Sequence, residues 1–313
     1  MKWISHKTHL IRSYPKKPKI VACIPAYNEE QNISAVILDA EKYVDCIIVC
    51  DDGSTDHTAE IAQRLGAIVI KHEKNTGYGA AIMTLLERAL KLEADIVVTL
   101  DADGQHNPNH IPYLIKPILE GKADVVIGSR FIQKSKEKIP IYRKLGIKTI
   151  TRLMNIMTKL NITDAQSGYR AYSRRALQYI VPKLSEKGMG VSLQTLKVIS
   201  QTNLRIVEVP VTICYNVKKA SKRNPIMHGA ELLMTLVKLI ALERPLMYLG
   251  VLSTISLTIG LILVTHLAWL FYQTKYFSVP MALIALGTLL TGVILAMSAI
   301  ILYALVTIKK SSK

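Results

Sequence analysis

The sequence predicts an α/β domain built on a doubly wound, mostly parallel sheet, followed by a two-helix hairpin that crosses a membrane. Three observations predict it. Short β-rich runs alternate with helically spaced segments up to residue 130, the pattern of a sheet covered by helices on both faces. Polar clusters stand directly after three of those runs, where ligands bind in such sheets. Near the end, residues 245–274 and 276–308 carry no formal charge, and each stretch exceeds the ~20 apolar residues that span a ~30 Å hydrocarbon core.

Residues 1–18 form a basic segment. Residues 1–19 hold six Lys/Arg and no acid, and no apolar run follows them, so the segment is not a secretory signal. Strands are predicted at Ile20–Ile24, Cys46–Asp51, Ala67–Lys71, Ile96–Leu100 and Asp124–Gly128, with helices around 30–41, 58–65 and 79–92. The chain has 313 residues, half of them hydrophobic. That is enough for a full core over 19–227 with material left over. In 228–244, Leu232, Leu233, Leu236, Leu239 and Ile240 recur at helical spacing, which predicts an amphipathic helix lying on the membrane surface. Two spans, 245–274 and 276–308, and a basic tail, 309–313, complete the chain. Arg244, Lys309, Lys310 and Lys313 flank the spans on one side and Lys275 alone stands in the loop between them. This bias places the folded domain and the tail on the cytoplasmic side of a cell membrane.

The net charge of +17 is concentrated. Residues 133–152 hold seven Lys/Arg against one Glu, and Lys218–Arg223 add four more. Such patches suit anionic head groups and phosphorylated ligands. They lack the interleaved aromatics and reading modules of a nucleic-acid binder. Cys23, Cys46, Cys50 and Cys214 lie in apolar segments with no CxxC pair, as core residues of a reducing compartment do.

The chemistry gathers in "PAYNEE" (Pro25–Glu30), "DDGSTD" (Asp51–Asp56) and "DADGQ" (Asp101–Gln105), each at a strand end. A dinucleotide fold would run its first strand into GxGxxG. This one runs into "PAYNEEQN", and the only Gly-rich turn, "NTGYGAA", follows the third strand. In an extended backbone Asp101, Asp103 and Gln105 share one side, with Gly104 able to bend the chain. Two carboxylates and an amide oxygen suit a hard cation, Mg²⁺ or Mn²⁺, that keeps positions for water and phosphate oxygens.

"PAYNEE", "DDGSTD", "NTGYGAA", "DADGQHNP", "GSR" (Gly128–Arg130) and "DAQSGYRAYSRRAL" (Asp164–Leu177) occur in that order. Over roughly residues 18–243 the chain resembles family 2 glycosyltransferases, in particular the dolichyl- or polyprenyl-phosphate sugar synthases. The resemblance implies a GT-A fold, a nucleotide-sugar donor, a divalent metal and inversion at the anomeric carbon. It implies that Pro25, Tyr27 and Glu29 line the nucleotide pocket, that Asp52 meets base or ribose, and that Asp101 faces ribose and metal. Asp103 and Gln105 would coordinate the metal, Arg130 and Arg143 would meet phosphates, and Ser167–Arg170 would form the pocket floor beside the sugar. Lys222 or Arg223, in "KKASKRNP", would touch the diphosphate.

The expected reaction is sugar transfer from a UDP- or GDP-sugar to dolichyl or another polyprenyl phosphate. UDP-hexose, UDP-N-acetylhexosamine and GDP-mannose all stay open as donors. Where many relatives carry a glutamate after the glycines of "EKGMGVSLQTL", this chain has Ser192 and Gln194. A phosphate acceptor needs no side-chain base, whereas a sugar hydroxyl does. Two other readings stay open: a membrane glycosyltransferase that extends a saccharide, and a non-catalytic nucleotide-binding subunit.

Overall fold

A computed structural model describes residues 17–132, 141–213 and 245–311. The chain divides into two units, Met1–Leu233 and Met234–Lys313.

The first unit is a seven-stranded sheet. Its strands are β1 (Ile20–Ala26), β2 (Cys46–Asp51), β3 (Ile68–Lys71), β4 (Ile96–Thr99), β5 (Val125–Ser129), β6 (Arg170–Ser173) and β7 (Ile206–Pro210), in the spatial order β3-β2-β1-β4-β6-β5-β7. β1 pairs in parallel with β2 and β4, β2 with β3, and β5 with β7. β6 runs antiparallel to both β4 and β5. The five predicted strands are all present. β6 and β7 are additions, and β6 turns a mostly parallel sheet into a mixed one.

Continuous apolar runs make the centre of the sheet. Every residue of β1, β4 and β5 is buried, as expected of strands covered on both faces. Helices α1 (Ile33–Ala40), α2 (Thr58–Arg64), α3 (Tyr78–Lys91) and α4 (Ile111–Leu119) follow the strands. Alternation splits β1 between two layers. Ile20, Ala22 and Ile24 pack with Ile33, Ile37, Leu114 and Ile118 of α1 and α4, while α3 crosses β1 and β2 on the other side with Ile82, Leu85 and Ala89 buried. α5 (Ile141–Thr158), α6 (Arg174–Ile180) and α7 (Val191–Ser200) complete the unit. The first helix starts at Ile33, later than predicted, because the Glu29 carbonyl accepts from the amides of Asn32 and Ile33 and holds 29–32 as a turn.

The second unit contains α8 (Pro245–Thr274) and α9 (Val279–Ser311), both long and apolar enough to cross a membrane. They close on small residues. Added Cβ atoms at Gly260 and Gly292 would meet Leu289 and Leu257 at 2.7 Å. Ser253 Oγ donates to the Gly292 carbonyl and Ser256 Oγ to the Thr288 carbonyl, each at 2.7 Å. Close backbone approach with hydroxyl bonds is the way helices associate in lipid. Large apolar side chains such as Leu261, Ile262, Leu283 and Ile294 are about 60% exposed, unlike the core helix of a soluble protein. The amphipathic segment expected at 228–244 lies outside the described residues.

Candidate active site

Two strand-end loops are sewn together first. Past β1, Asn28 takes a left-handed backbone (φ 54°). Its amide donates to Ser54 Oγ at 2.9 Å, and its Oδ1 accepts from the Thr55 amide at 2.9 Å. The Glu29 amide donates to Thr58 Oγ1 at 2.8 Å and the Glu30 amide to Asp56 Oδ2 at 3.2 Å. These reciprocal bonds fix "PAYNEE" against "DDGSTD". Pro25 is buried in the shelf and Tyr27 stands 43% exposed on it, leaving an open aromatic ring for stacking.

Asp51, the last residue of β2, and Asp52 just past it do different work, because neighbouring residues of an extended chain face opposite ways. Asp52 Oδ1 accepts from the Thr76 amide (2.9 Å), Thr76 Oγ1 (2.7 Å) and His72 Nδ1 (2.7 Å), and Oδ2 accepts from the Gly77 amide (2.9 Å). Burial alone would raise this carboxyl, but those hydrogen bonds outweigh it and hold it below the usual range. Asp52, expected to meet base or ribose, has both oxygens engaged in tying down "NTGYG". Asp51 accepts from the Ser54 amide through Oδ1 at 3.1 Å, while its fully buried Oδ2 makes no hydrogen bond and has Lys71 Nζ at 3.9 Å.

The Gly-rich turn is a packing device. Gly77 (φ 105°) and Gly79 leave room for the loop before α7: Cβ atoms there would lie 2.5 Å from the Lys187 carbonyl oxygen and 2.2 Å from that of Glu186. The Ala80 amide donates to the Lys187 carbonyl at 3.1 Å. The Gly77 and Ala80 amides are thus already paired within the chain.

The third strand end carries the acidic turn. β4 stops at Thr99, the Leu100 amide still donates to the Cys23 carbonyl at 3.2 Å, and the chain then turns, with Gly104 at φ 73° and the Gln105 amide donating to Asp103 Oδ1 at 2.9 Å. Asp101, Asp103 and Gln105 therefore lie along a turn, and the extended backbone that would align them by alternation is not present. Tyr78 Oη donates to Asp101 Oδ1 at 3.0 Å. Burial holds the Asp101 carboxyl well above the usual range, against the Tyr78 bond and the Arg130 charge. Glu29 is also raised, by burial first, then by Asp103, Asp101 and Asp56, against its bond from Asn32. The neighbouring carboxylates that raise Glu29 make a local excess of negative charge, which a divalent cation would relieve. Among the described residues no three His, Cys, Asp or Glu side chains form a ready-made metal cage.

The floor lies under this turn. Thr99 Oγ1 donates to the Gly168 carbonyl at 2.7 Å, and a Cβ at Gly168 would stand 2.6 Å from Tyr78 Oη and 3.6 Å from Asp101 Oδ1. Ser167 Oγ is buried with no hydrogen-bond partner. The buried Arg170 donates to the carbonyls of Ser167 (2.7 Å), Ala165 (2.9 Å) and Ser192 (3.1 Å), so it builds the floor from beneath. Arg130, expected at a phosphate, is held by the buried Asp164. Arg143 lies in the first turn of α5, its side chain outside the described residues, and Lys222 and Arg223 also lie outside them. Gln194 does not face the site: its Oε1 caps the Ser185 and Glu186 amides at 3.0 and 2.9 Å.

Sequence reasoning passed over Asp51, Tyr78, Asp164 and His106. All four sit inside the quoted motifs, and the free-standing order of those motifs was the signal available for them.

The family model described as glycosyl transferase family 2 matches residues 21–181, just over half the chain. The chain belongs to family 2 of the glycosyltransferases. This glycosyltransferase is 35% identical over 240 residues to UDP-N-acetylglucosamine–dolichyl-phosphate N-acetylglucosaminyltransferase of Methanococcus voltae, covering 70% of this chain and 95% of the relative. It is 33% identical over 220 residues to dolichyl-phosphate hexose transferase of Haloferax volcanii, covering 70% and 92%. Among solved structures it is similar to glucosyl-3-phosphoglycerate synthase of Mycobacterium tuberculosis in complex with Mn²⁺ and UDP-glucose. That likeness has a TM-score of 0.55 and 25% identity, over 71% of this chain and 78% of the other. The glycosyltransferase has the GT-A fold, with its acidic turn at the carboxyl edge of the sheet.

Proposed function

We infer that the enzyme transfers a sugar, with inversion, from a nucleoside-diphosphate sugar to a polyprenyl phosphate at the cytoplasmic membrane face, supplying a lipid-linked sugar for glycan assembly. The observation that carries the reading is the acidic turn, Asp101 and Asp103 beside Glu29, at an edge formed by three strand ends. The relatives' names support the lipid acceptor, and the apolar hairpin supports a site that works at a membrane.

Asp101, Asp103 and Gln105 would hold Mg²⁺ or Mn²⁺, and the cation would supply electrostatic stabilisation of the leaving diphosphate. Tyr27 and the buried Pro25 offer a stacking wall to the base. Asp51 Oδ2, which makes no hydrogen bond and has Lys71 Nζ at 3.9 Å, is a candidate acceptor for base or ribose beside Asp52. Ser167 and Gly168 bound the sugar. In the reaction an oxygen of the lipid phosphate forms a bond to the anomeric carbon. The bond from that carbon to the diphosphate breaks, and its electron pair leaves with the nucleotide. A phosphate monoester with a second pKa of roughly 6 is largely ionised at neutral pH, so no proton need be removed. Gln194, turned away into its own loop, fits a reaction without a side-chain base. Arg143 and Arg223 are assigned to phosphates, and the surface segment 228–244 to the membrane interface. A UDP-hexose or UDP-N-acetylhexosamine donor is preferred to GDP-mannose.

The test is transfer from a panel of UDP- and GDP-sugars to dolichyl phosphate, using the full chain in lipid with Mn²⁺ or Mg²⁺ and a chelated control. A metal-dependent lipid-phosphate sugar from one donor is expected. Product only on saccharide acceptors would replace the lipid reading.

A further inference from the structure

His106 has no place in the reaction above, yet its ring closes the acidic turn. Asp101 is the second residue past β4, after the ladder has stopped supplying acceptors. Its amide donates to His106 Nδ1 at 3.0 Å, a side-chain acceptor replacing a missing strand. The ring is 5% exposed and stacks on the buried Tyr169 at 4.8 Å and 21°. Tyr169 Oη donates to the Asn107 carbonyl at 2.9 Å, and the His106 backbone bridges Ile213. An acceptor Nδ1 places the ring proton on Nε2. The approach of Nδ1 to Asp101 Oδ2 at 3.7 Å is therefore the contact of an accepting ring and not an ion pair. The segment from Asp101 to His106 is thus a loop shut at both ends, with Asp103 and Gln105 inside it.

We propose that His106 is a positioning residue: by holding the Asp101 amide it fixes the direction of Asp101 and the curvature that brings Asp103 and Gln105 to the same cation. The inference rests on the metal reading given above. It predicts that His106 acts through an acceptor atom, since an aromatic ring of similar size would satisfy Tyr169 equally well. Partners that orient ligands commonly change metal affinity about 10–100-fold when lost.

The experiment is Mn²⁺ titration of the full-length protein in nanodiscs with UDP present, read by the electron paramagnetic resonance of free Mn²⁺, with thermal unfolding in parallel. His106→Phe keeps the stack and removes the acceptor; it is expected to weaken Mn²⁺ binding about tenfold or more. His106→Asn offers Oδ1 at nearly the position of Nδ1 and is expected to recover most of the loss without restoring the ring. Equal Mn²⁺ affinity in the wild type and His106→Phe would overturn the positioning role alone and leave the metal assignment standing. A wild type that binds no Mn²⁺ would overturn both. Equal weakening in Phe and Asn variants would also overturn it, by tracing the effect to ring packing. If His106→Phe does not fold, His106→Leu supplies the second arm: it too lacks the acceptor, so in a folded protein it should weaken Mn²⁺ binding relative to His106→Asn, and unchanged affinity would count against the proposal.

Discussion

The Arg130 guanidinium grips the Asp164 carboxylate at two points, Nε to Oδ2 at 2.6 Å and Nη2 to Oδ1 at 2.7 Å. The pair ties the end of β5 to the loop that leads into β6, and Glu208 of β7 holds the same loop by accepting from the Thr163 and Asp164 amides at 2.8 and 3.0 Å. Asp164 is wholly buried and Arg130 nearly so. Removing one partner strands a buried charge, so Arg130→Met should cost about 3–5 kcal/mol in chemical unfolding, whereas Arg130→Met with Asp164→Leu should regain much of that. If Arg130 also meets a substrate phosphate, the double variant stays slow despite its recovered stability. Full turnover in the double variant would confine Arg130 to the fold.

Asp103→Asn should leave the melting temperature within about a degree or two and cut metal-dependent turnover roughly a thousandfold, the equivalent of about 4 kcal/mol of lost stabilisation. Turnover near the wild-type rate would remove Asp103 from the metal site.

Asp52 gives a pH signature. Its carboxyl is held below the ordinary aspartate value of 3.8, so the unfolded chain takes up the proton first as the medium is acidified. The stability it contributes is complete above pH 3.8 and is lost as pH falls through the folded-state value. Asp52→Asn should lower stability at neutral pH and flatten the acid limb of a melting-temperature profile. An unchanged acid limb would show that "NTGYG" is held by other contacts.

Gly168→Ala would set a Cβ 2.6 Å from Tyr78 Oη. Overpacking of this kind costs about 1–3 kcal/mol, and it pushes Tyr78 off Asp101. Tyr78→Phe removes the clashing atom, so the double variant should be more stable than Gly168→Ala alone. Additive losses in the double-variant cycle would count against the contact.

Much of the first half was legible because β1, β2 and β4 are apolar runs that end in polar clusters, and α3 shows a clean buried stripe at Ile82, Leu85 and Ala89. β6 hid for the opposite reason. It has four residues, begins with a buried arginine, and carries no alternation to read. β7 is half-buried along its whole length, as an edge strand is, and its pattern is equally weak. The site was legible as motifs but not as geometry. In "DDGSTD" both aspartates look alike, and only the path of "NTGYG" decides that Asp52 binds Thr76 and Gly77 while Asp51 binds the Ser54 amide and faces Lys71. In "DADGQHNP" the alternation of oxygen donors suggested a strand, while Gly104 and the Asp103 side chain make a turn. Arg130 reads as a free cation until its long-range partner, Asp164, is seen beside it.

The reversed course of β6 lets one rim be made of two kinds of segment. The parallel strands β1, β2 and β4 depart from that rim, and residues 163–169 arrive at it. The arriving segment is bound at several points: Asp164 by Arg130, the Thr163 and Asp164 amides by Glu208, and the Ala165 and Ser167 carbonyls by Arg170. Gly168 then brings it against Tyr78 and Asp101 with no room for a side chain, so the arriving and departing segments of this rim set one another's position.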